Sequence, residues 1–286
     1  MSTEAVGLHV EPRRPLPLAG AWAWIRHHLL SMYAVLALLY LFLPIVVVIA
    51  FSFNNPKGRF NYTWDGFTTK NWTDPFGVPG IGSAIRISLE IAVLSSICAT
   101  VLGALMALAL MRYRIRGQGA LNMLVFLPMA TPEIVMGSSL LTLFLNVSFV
   151  ALGFVTILIA HIMFNISYVV VTVRARLAGF DRHLEEAAHD LGANGWTTFW
   201  KVTLPLIAPG ILSASLLAFA LSIDDFVITY FNSGSTITFP LFVWGSARVA
   251  TPPQINVIGT MIFVVAVGGM LTNIFAQNRR SKRSLA

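Results

Sequence analysis

Apolar residues fall into six long runs that are separated by short polar segments. A helix that crosses about 30 Å of hydrocarbon needs roughly 20 apolar residues, and each run is at least that long. We therefore predict six membrane-spanning helices, over residues 29–53, 87–111, 120–145, 149–173, 206–231 and 255–277. The third and fourth runs almost touch. As one helix they would be about 80 Å long, so we predict a turn at Asn146, Ser148 and Gly153.

The composition supports a lipid environment for most of the chain. Of its 286 residues, 11% are charged, whereas about 25% is usual for soluble domains. The mean hydropathy is +0.76. Cys98 is the single cysteine and lies in an apolar run, so the chain forms no intrachain disulfide. The uncharged run after Arg26 is far longer than the apolar part of a signal peptide, and we interpret it as a retained membrane anchor.

The basic residues set the predicted orientation of the spans. Six spans place both termini on one side, and cytoplasmic segments carry an excess of Lys and Arg. We predict that both termini are cytoplasmic, because fourteen of the 19 Lys and Arg residues then lie inside. The outer five are Lys57, Arg59, Lys70, Arg86 and Arg248. The inner fourteen are Arg13, Arg14, Arg26, Arg112, Arg114, Arg116, Arg174, Arg176, Arg182, Lys201, Arg279, Arg280, Lys282 and Arg283. No interleaved aromatic residues accompany these charges, which argues against nucleic-acid binding.

The same pattern divides the chain into five parts. We predict a cytoplasmic segment over 1–28, a first span over 29–53, an external loop over 54–80, a core of five spans over 81–277 and a basic cytoplasmic tail over 278–286. The loop at 54–80 is rich in Asn, Thr, Gly, Pro and Trp, which predicts an irregular cap. The other external segment, 232–254, contains three prolines and is compatible with a short re-entrant piece at 241–249.

The polar insert between the fourth and fifth runs predicts a helix, a glycine and a second helix. Leu184, Ala187 and Leu191 recur at helical spacing. Gly192 is placed to end that helix, and Pro205 marks the start of the fifth span. One interpretation is an amphipathic helix that lies on the inner leaflet. Its acidic face disfavours anionic lipid, and its Ala-Ala centre favours close approach of a partner protein.

Three acids without a basic partner nearby in the sequence lie inside predicted spans, where a carboxylate costs on the order of 2.5–3.5 kcal/mol on insertion scales. They are Glu133 in the third run and Asp224 and Asp225 in the fifth. Counted along straight helices, they lie at similar depth in the outer half of the membrane. Pro128 and Pro132 are expected to bend the third span just before Glu133. Such acids usually face a cavity, a partner charge or a substrate path; alternatively, either aspartate ends a helix near the outer surface.

The neighbours of these acids favour a cation as their partner. In a continuous helix Ser222, Asp225 and Thr229 share one face. Phe226 and Tyr230 share the neighbouring face. Acids beside aromatic rings suit an organic cation through charge pairing and cation–π contact.

Other polar residues in the spans have simpler explanations. Glu90 follows Arg86 by four residues, which predicts an ion pair within one helix. We interpret His161 as a hydrogen-bonded packing residue. No His or Cys accompanies the acids in their own runs, so no metal site is predicted.

The insert also carries a motif, EAAHDLG at residues 186–192, followed after nine residues by VTLP at residues 202–205. This resembles the EAA motif of ABC importer permeases, with Val202 where the family usually has Ile. The resemblance covers about residues 83–276. It implies that 181–205 contains a coupling helix, which sits in a groove of an ATP-hydrolysing subunit. The implied coupling residues are Glu186, Ala187, Ala188, Gly192, Leu204 and Pro205.

Four stretches, LPMATPEIVMG, HIMFNISYVVVTVRARL, EAAHDLGA and SIDDFVIT, narrow the resemblance. Together they are similar to the PotC-like branch of the family, the second permeases of spermidine and putrescine importers. The branch also includes permeases for opines, phosphonates and other small solutes. This chain departs from the pattern at Ile87, where Asn is common, and at Glu133, where Asp is common. The resemblance implies a substrate path lined by Glu133, Asp224, Asp225, Ser222, Thr229 and Tyr230.

The resemblance implies an all-α, six-span permease of the type I importer class, in the plasma membrane. Its implied partners are two cytoplasmic ATPase subunits, a second, similar but non-identical permease, and an extracytoplasmic solute-binding protein that docks on 54–80 and 232–254. The chain contains no G-x-x-x-x-G-K-[ST] loop. We therefore expect a separate subunit to hydrolyse ATP, and no cofactor on this chain.

Two other classes of function stay open. An ion-coupled secondary transporter could use the acids as proton sites, although such proteins commonly have larger repeats and more spans. A membrane enzyme is a further alternative, but the sequence contains no recognisable nucleophile–base or metal constellation. The energy source for uptake, ATP or an ion gradient, separates the importer from the secondary transporter.

Overall fold

The computed structural model describes residues 17–113, 116–147 and 150–283 of the chain. Side chains are described from His28 to Thr272, apart from Met270 and the two gaps. Residues 1–16 of the predicted N-terminal segment and 284–286 of the predicted tail lie outside the described residues. So do Arg114 in the first predicted inner loop and Ser148 in the predicted turn.

Helices make up the regular structure of the described residues. Extended pairing there is limited to two isolated bridges, Asn54–Phe67 and Phe60–Thr251, so the class is all-α, as predicted. The elements are α1 (Pro17–Ser52), α2 (Lys70–Thr73), α3 (Ile81–Arg112), α4 (Gln118–Ala130), α5 (Glu133–Asn146), α6 (Phe154–Ala178), α7 (His183–Asp190), α8 (Gly195–Thr198), a π-helical turn (Phe199–Thr203), α9 (Leu204–Ile223), α10 (Val227–Asn232), α11 (Phe239–Val249) and α12 (Pro253–Arg283).

Four helical stretches of the described residues are long and apolar enough to cross a membrane, judged by length and composition. They are His28–Ser52, Ile81–Arg112, Phe154–Ala178 and Gly195–Ile223. The α4–α5 pair adds a fifth if a strongly bent pair counts as one span. The part of α12 with described side chains contributes a shorter apolar helix, Pro253–Gly269. The runs predicted from the sequence thus correspond to helices, with four or five qualifying as candidate spans.

Contacts within the chain divide it into two compact units. The first contains α1, α2, α12 and most of the segment from 53 to 73. In it α1 packs along α12, and a methyl group placed at Gly259 would lie 3.5 Å from Val48 Cγ1. The most apolar stretch of α1 contains no buried residue. A helix that is apolar on every side is typical of a lipid environment.

The segment after α1 is largely irregular, as its composition predicts. Asn54 is buried, and its Nδ2 donates to Asn61 Oδ1 (2.6 Å) and to the carbonyl oxygen of Thr63 (2.7 Å). Its Oδ1 accepts from the backbone N–H of Asp65 (2.9 Å). Asn71 Nδ2 donates in turn to the carbonyl oxygen of Asn54 (2.8 Å). Side-chain amides therefore satisfy backbone groups that no helix or strand pairs.

The second unit is built on α3, α6 and α9, which pack against one another. Around them α4 lies on α6, α5 on α10 and α11 on α3. Small residues at these interfaces let helix backbones approach closely, as is typical of helices that associate in membranes. The buried core is rich in alanine and valine and includes Ala99, Ala104, Ala107, Val169, Val170, Val173, Ile207, Ala214 and Ala218.

The polar insert joins the fifth predicted span without a break. α8, the π-helical turn and α9 form one helical stretch, Gly195–Ile223. Within it α9 begins at Leu204 and has Pro205 in its first turn, as predicted. In the π-helical turn the N–H of Leu204 donates to the carbonyl oxygen of Phe199, five residues earlier. The wider turn comes immediately before Pro205, whose missing N–H interrupts the regular ladder.

We predict that Gly103→Ala lowers the free energy of unfolding by about 1–3 kcal/mol, because overpacking costs this much in a tight core. The added carbon would lie 2.7 Å from Val169 Cγ1 and 3.2 Å from the carbonyl oxygen of Ile166. Neither group can move aside without shifting α6. Thermal unfolding of the detergent-purified protein measures the effect. Gly119→Ala is the control, since nothing lies within 4 Å of its added carbon. Equal melting temperatures for both variants would contradict the close packing of α3 on α6.

Candidate functional site

The third predicted span is broken immediately before Glu133. α4 and α5 meet at 107°. Pro132 disfavours the helical conformation at Thr131, which is extended, and the Thr131 hydroxyl donates to the carbonyl oxygen of Leu127 (2.7 Å). The predicted bend at this position is confirmed, but its size is far larger than a proline kink requires. A depth counted along a straight helix therefore does not apply to Glu133.

Glu133 is the first residue of α5, and its side chain is exposed. A carboxylate in the first turn is stabilised by the helix dipole, so the break also makes Glu133 less costly than an acid in mid-helix.

The fifth predicted span is broken as well, between the end of α9 at Ile223 and the start of α10 at Val227. Asp225 stabilises this break by accepting hydrogen bonds at the beginning of α10. Its Oδ2 accepts from the N–H and the hydroxyl of Thr229 (both 2.8 Å), and its Oδ1 accepts from the N–H of Ile228 (3.3 Å). These are the first-turn amides that a helix leaves unpaired.

His161 on α6 holds Asp225 from the other side. Its Nε2 lies 3.2 Å from Asp225 Oδ2 and 2.9 Å from Thr229 Oγ1, and its Nδ1 lies 2.7 Å from Ser222 Oγ. Ser222 Oγ is also 2.9 Å from Ser95 Oγ on α3. Only 3% of the His161 side chain and 6% of the Asp225 side chain are exposed. We call these five residues the histidine network; it joins α3, α6, α9 and α10.

The predicted path residues therefore fall into two groups. Three of them meet at His161 and are largely shielded from solvent, namely Ser222, Asp225 and Thr229. Three are exposed, namely Glu133, Asp224 and Tyr230. The interpretation of His161 as a hydrogen-bonded packing residue is confirmed, but its partner Asp225 was not identified from the sequence. An ionisable side chain inside a span is itself a signal that a polar partner lies nearby.

Aromatic rings stand beside the second break. The Phe226 ring centroid is 5.6 Å from that of Tyr230 and 5.1 Å from that of Trp244 on α11. We call these three residues the aromatic cluster. Arg248 Cζ lies 4.8 Å from the Trp244 ring centroid, which is a cation–π distance. The exposed Asp224 precedes Phe226 by two residues, so an acid and a cation-accepting ring surface lie in the same part of the molecule.

The insert forms α7, which ends at a left-handed Gly192 (φ 85°) as its position predicts. Glu186 is exposed and lies 3.1 Å from His183 Nδ1. This hydrogen bond and the charges of Asp181 and Glu186 raise the pKa of His183. The apolar side of α7 is also uncovered, with Leu184 and Leu191 exposed.

The exposed surface continues into the helix that follows. Trp196 and Trp200 are exposed, with ring centroids 5.7 Å apart. An uncovered apolar and aromatic surface of this kind favours contact with a partner. As for metals, no three His, Cys, Asp or Glu side chains of the described residues are close enough to share an ion.

Ionisable side chains within membrane spans mark substrate or ion pathways in many membrane proteins. Residues 99–281 match the family described as "Binding-protein-dependent transport system inner membrane component". The chain belongs to this family of multi-pass membrane transport proteins.

Relatives of assigned function support the assignment of the chain to this transport family. Over 229 residues the chain is 40% identical to "Spermidine/putrescine transport system permease protein PotC" of Escherichia coli (strain K12), covering 80% of this chain and 86% of that protein. It is 36% identical over 230 residues to "Putrescine transport system permease protein PotI" of the same organism, covering 78% and 81%. A PotC homolog of Mycoplasma pneumoniae is 32% identical over 267 residues, covering 87% and 88%.

Solved structures show the same fold at low sequence identity. One is a bacterial ABC transporter involved in the import of alginate, with a TM-score of 0.63 and 15% identity, covering 91% of this chain and 99% of that one. Another is the MetNI methionine ABC transporter, with a TM-score of 0.54 and 14% identity, covering 70% and 93%.

We predict that His161→Leu lowers the free energy of unfolding by about 1–3 kcal/mol or more, because it leaves Ser222 and Asp225 without their ring partner in a buried site. Asn165 provides a contrast one turn along α6. It is fully buried, and neither its Oδ1 nor its Nδ2 has a hydrogen-bond partner among the described residues.

Asn165→Val should therefore leave stability unchanged or raise it, since it removes an unsatisfied polar group. Thermal unfolding of the two purified variants under the same conditions makes the comparison. If both variants lost the same free energy of unfolding, the hydrogen bonds of the histidine network would not contribute to stability, contrary to this prediction.

Proposed function

We propose that the chain is the permease subunit of an ATP-driven importer of polyamines. The observation that carries this proposal is the exposed carboxylate of Asp224 at a helix break, beside the aromatic cluster. Glu133 supplies a second exposed carboxylate at the other break. The relatives described as spermidine/putrescine and putrescine permeases support the same class of substrate.

The chemistry of a polyamine matches these groups. Its ammonium groups are separated by methylene chains. A binding path for it therefore alternates carboxylates, which pair with the ammonium groups, and aromatic rings, on which the methylene chains pack. Each carboxylate neutralises one ammonium group, and a ring face adds about 0.5–2 kcal/mol of cation–π attraction. The carboxylates stand at helix ends, where they can turn toward a passing cation without breaking a helix.

Within this proposal the two groups of path residues have different roles. Glu133, Asp224 and Tyr230 are exposed and contact the cation directly. Ser222, Asp225 and Thr229 belong to the histidine network, which fixes the break at which Asp224 is presented. Asp225 thus acts on the cation mainly by holding its neighbour in place.

The proposed topology has six crossings. They are α1, α3, the broken α4–α5 pair, α6, α9 with α10, and α12. Both termini lie in the cytoplasm, following the excess of Lys and Arg on that side. The coupling segment, 181–205, then also faces the cytoplasm, and 54–80 and 232–254 face outward.

The proposed partners follow from that topology. Two ATPase subunits bind the coupling segment in the cytoplasm, a second and similar permease completes the membrane pathway, and a solute-binding protein docks on 54–80 and 232–254. ATP is hydrolysed by the partner subunits. The uncovered surface of α7 supports the contact with an ATPase. The residues proposed for it and for the start of the span behind it are Glu186, Ala187, Ala188, Gly192, Leu204 and Pro205.

Uptake by the complex reconstituted in vesicles, with ATP on the ATPase side, tests the proposal. We expect ATP-dependent uptake of spermidine and putrescine. Asp224→Asn and Glu133→Gln should each lower kcat/KM for uptake by about tenfold, which corresponds to about 1.4 kcal/mol, because each removes a charge from the path. Asp225→Asn should abolish uptake while the complex still assembles.

Glu90→Gln is the matched control, because Glu90 is also an acid in a predicted span but is paired with Arg86 at 2.7 Å. It should retain wild-type uptake. Undiminished uptake by Asp224→Asn and Glu133→Gln would show that these carboxylates do not contact the transported cation. Uptake of an opine or a phosphonate without polyamine uptake would reassign the substrate. Uptake that persists without ATP and stops with an uncoupler would indicate an ion-coupled transporter.

A further inference from the structure

The glutamate before the EAA motif, Glu185, is held against the rest of the second unit. Arg112, the last residue of α3, donates through Nη2 to Glu185 Oε1 and to Thr203 Oγ1 (3.2 Å). The Thr203 hydroxyl donates to the same Glu185 Oε1. Glu185, Arg112 and Thr203 therefore form a closed triangle, which we call the clasp.

The clasp joins three elements that are far apart in the sequence. Arg112 ends α3, Glu185 lies in the first turn of α7, and Thr203 ends the π-helical turn that leads into α9. Thr203 is fully buried. A second contact runs parallel to the clasp, because Arg182 Nη2 donates to the carbonyl oxygen of Met111 (3.0 Å). The start of α7 is thus fastened to the end of α3 at two points and to the start of α9 at one.

Two neighbouring glutamates of α7 point in different directions. The side chain of Glu185 is 20% exposed, whereas that of Glu186 is 69% exposed. Consecutive residues of a helix lie about 100° apart around its axis, so one can face the spans while the other faces outward. Glu186, which belongs to the EAA motif, is therefore more accessible to a partner than Glu185 is.

The flanking connections make such a fastening necessary for transmitting motion. α7 is separated from α6 by the non-helical residues 179–182 and from α8 by 191–194. A push on α7 would be absorbed by these connections if no side chain fastened α7 to the spans. A partly buried, charge-assisted contact is a stiffer link than an exposed ion pair.

We propose that Glu185 is a positioning residue that couples α7 to α3 and α9 through the clasp. When a partner displaces α7, the clasp carries the displacement to the ends of both spans. This inference rests on the proposed function, in which ATPase subunits bind α7.

The test compares variants of the reconstituted complex by two measurements, the yield of assembled complex and the amount of polyamine taken up per ATP hydrolysed. Glu185→Gln and Thr203→Val should assemble like wild type but should lower uptake per ATP by about tenfold, the size of a typical coupling effect. The double variant Arg112→Glu/Glu185→Arg should recover much of the uptake per ATP that Glu185→Gln loses, because it rebuilds the ion pair with the charges exchanged. A role in folding alone would lower the yield and leave uptake per ATP unchanged.

Glu186→Gln provides the contrast on the same helix. It should lower the yield of complex with the ATPases, because Glu186 belongs to the proposed contact surface, whereas Glu185→Gln should leave that yield unchanged. Wild-type uptake per ATP in both Glu185→Gln and Thr203→Val would overturn the inference while leaving the proposed function intact.

If the wild-type complex takes up no polyamine, the proposed function fails, and a distance measurement decides the inference. Spin labels on cysteines at Tyr113 and Asp190, in a Cys98→Ser background, report the separation of α3 and α7. In the wild type, the distance between the two labels should be the same without ATP and in the ATP-trapped complex, because the clasp holds α7 to α3. In Glu185→Gln, this distance should differ between the two states. A distance that changes in wild type would overturn the inference.

Discussion

Hydrocarbon offers no hydrogen-bond partners, so polar backbone groups of a spanning helix must be paired within the protein. This constraint governs both places where the predicted spans of this chain are interrupted. At the second break, Asp225 accepts hydrogen bonds from first-turn N–H groups of α10 and is hydrogen-bonded to His161. At the first, the N–H and the hydroxyl of Thr131 both donate to the carbonyl oxygen of Leu127. Side chains at both breaks therefore form hydrogen bonds with backbone groups, and an exposed acid stands beside each break.

The two ends of the second unit have complementary properties. At the breaks, exposed acids stand at helix ends, and aromatic rings lie beside the second break, as the proposed cation path requires. At the other end, α7 and the tryptophans beyond it leave an apolar surface uncovered, while the clasp fastens α7 to α3 and α9. Between them lies a closely packed core of small residues, with Gly103 against Val169. A stiff core of this kind can transmit a displacement from one end to the other.

The sequence predicts features that depend on local spacing. The apolar runs predict helices, the four-residue spacing predicts the Arg86–Glu90 pair, and Gly192 predicts the end of α7; all three are found. The 107° bend is not predictable from Pro132 alone, because its size depends on the helices against which α4 and α5 pack. The pairing of His161 with Asp225 spans 64 residues. Such long-range contacts leave no periodic signal in one sequence.

The proposed function requires that the segment between α6 and α9 faces the cytoplasm, where an ATPase can reach it. Replacing the single cysteine by Cys98→Ser and adding Ala193→Cys allows a direct test with a membrane-impermeant maleimide. We expect no labelling of Ala193→Cys in intact cells and full labelling after the membrane is permeabilised. Lys57→Cys, in the loop proposed to face outward, should be labelled in both conditions. Labelling of Ala193→Cys from outside intact cells would contradict the cytoplasmic orientation of this segment.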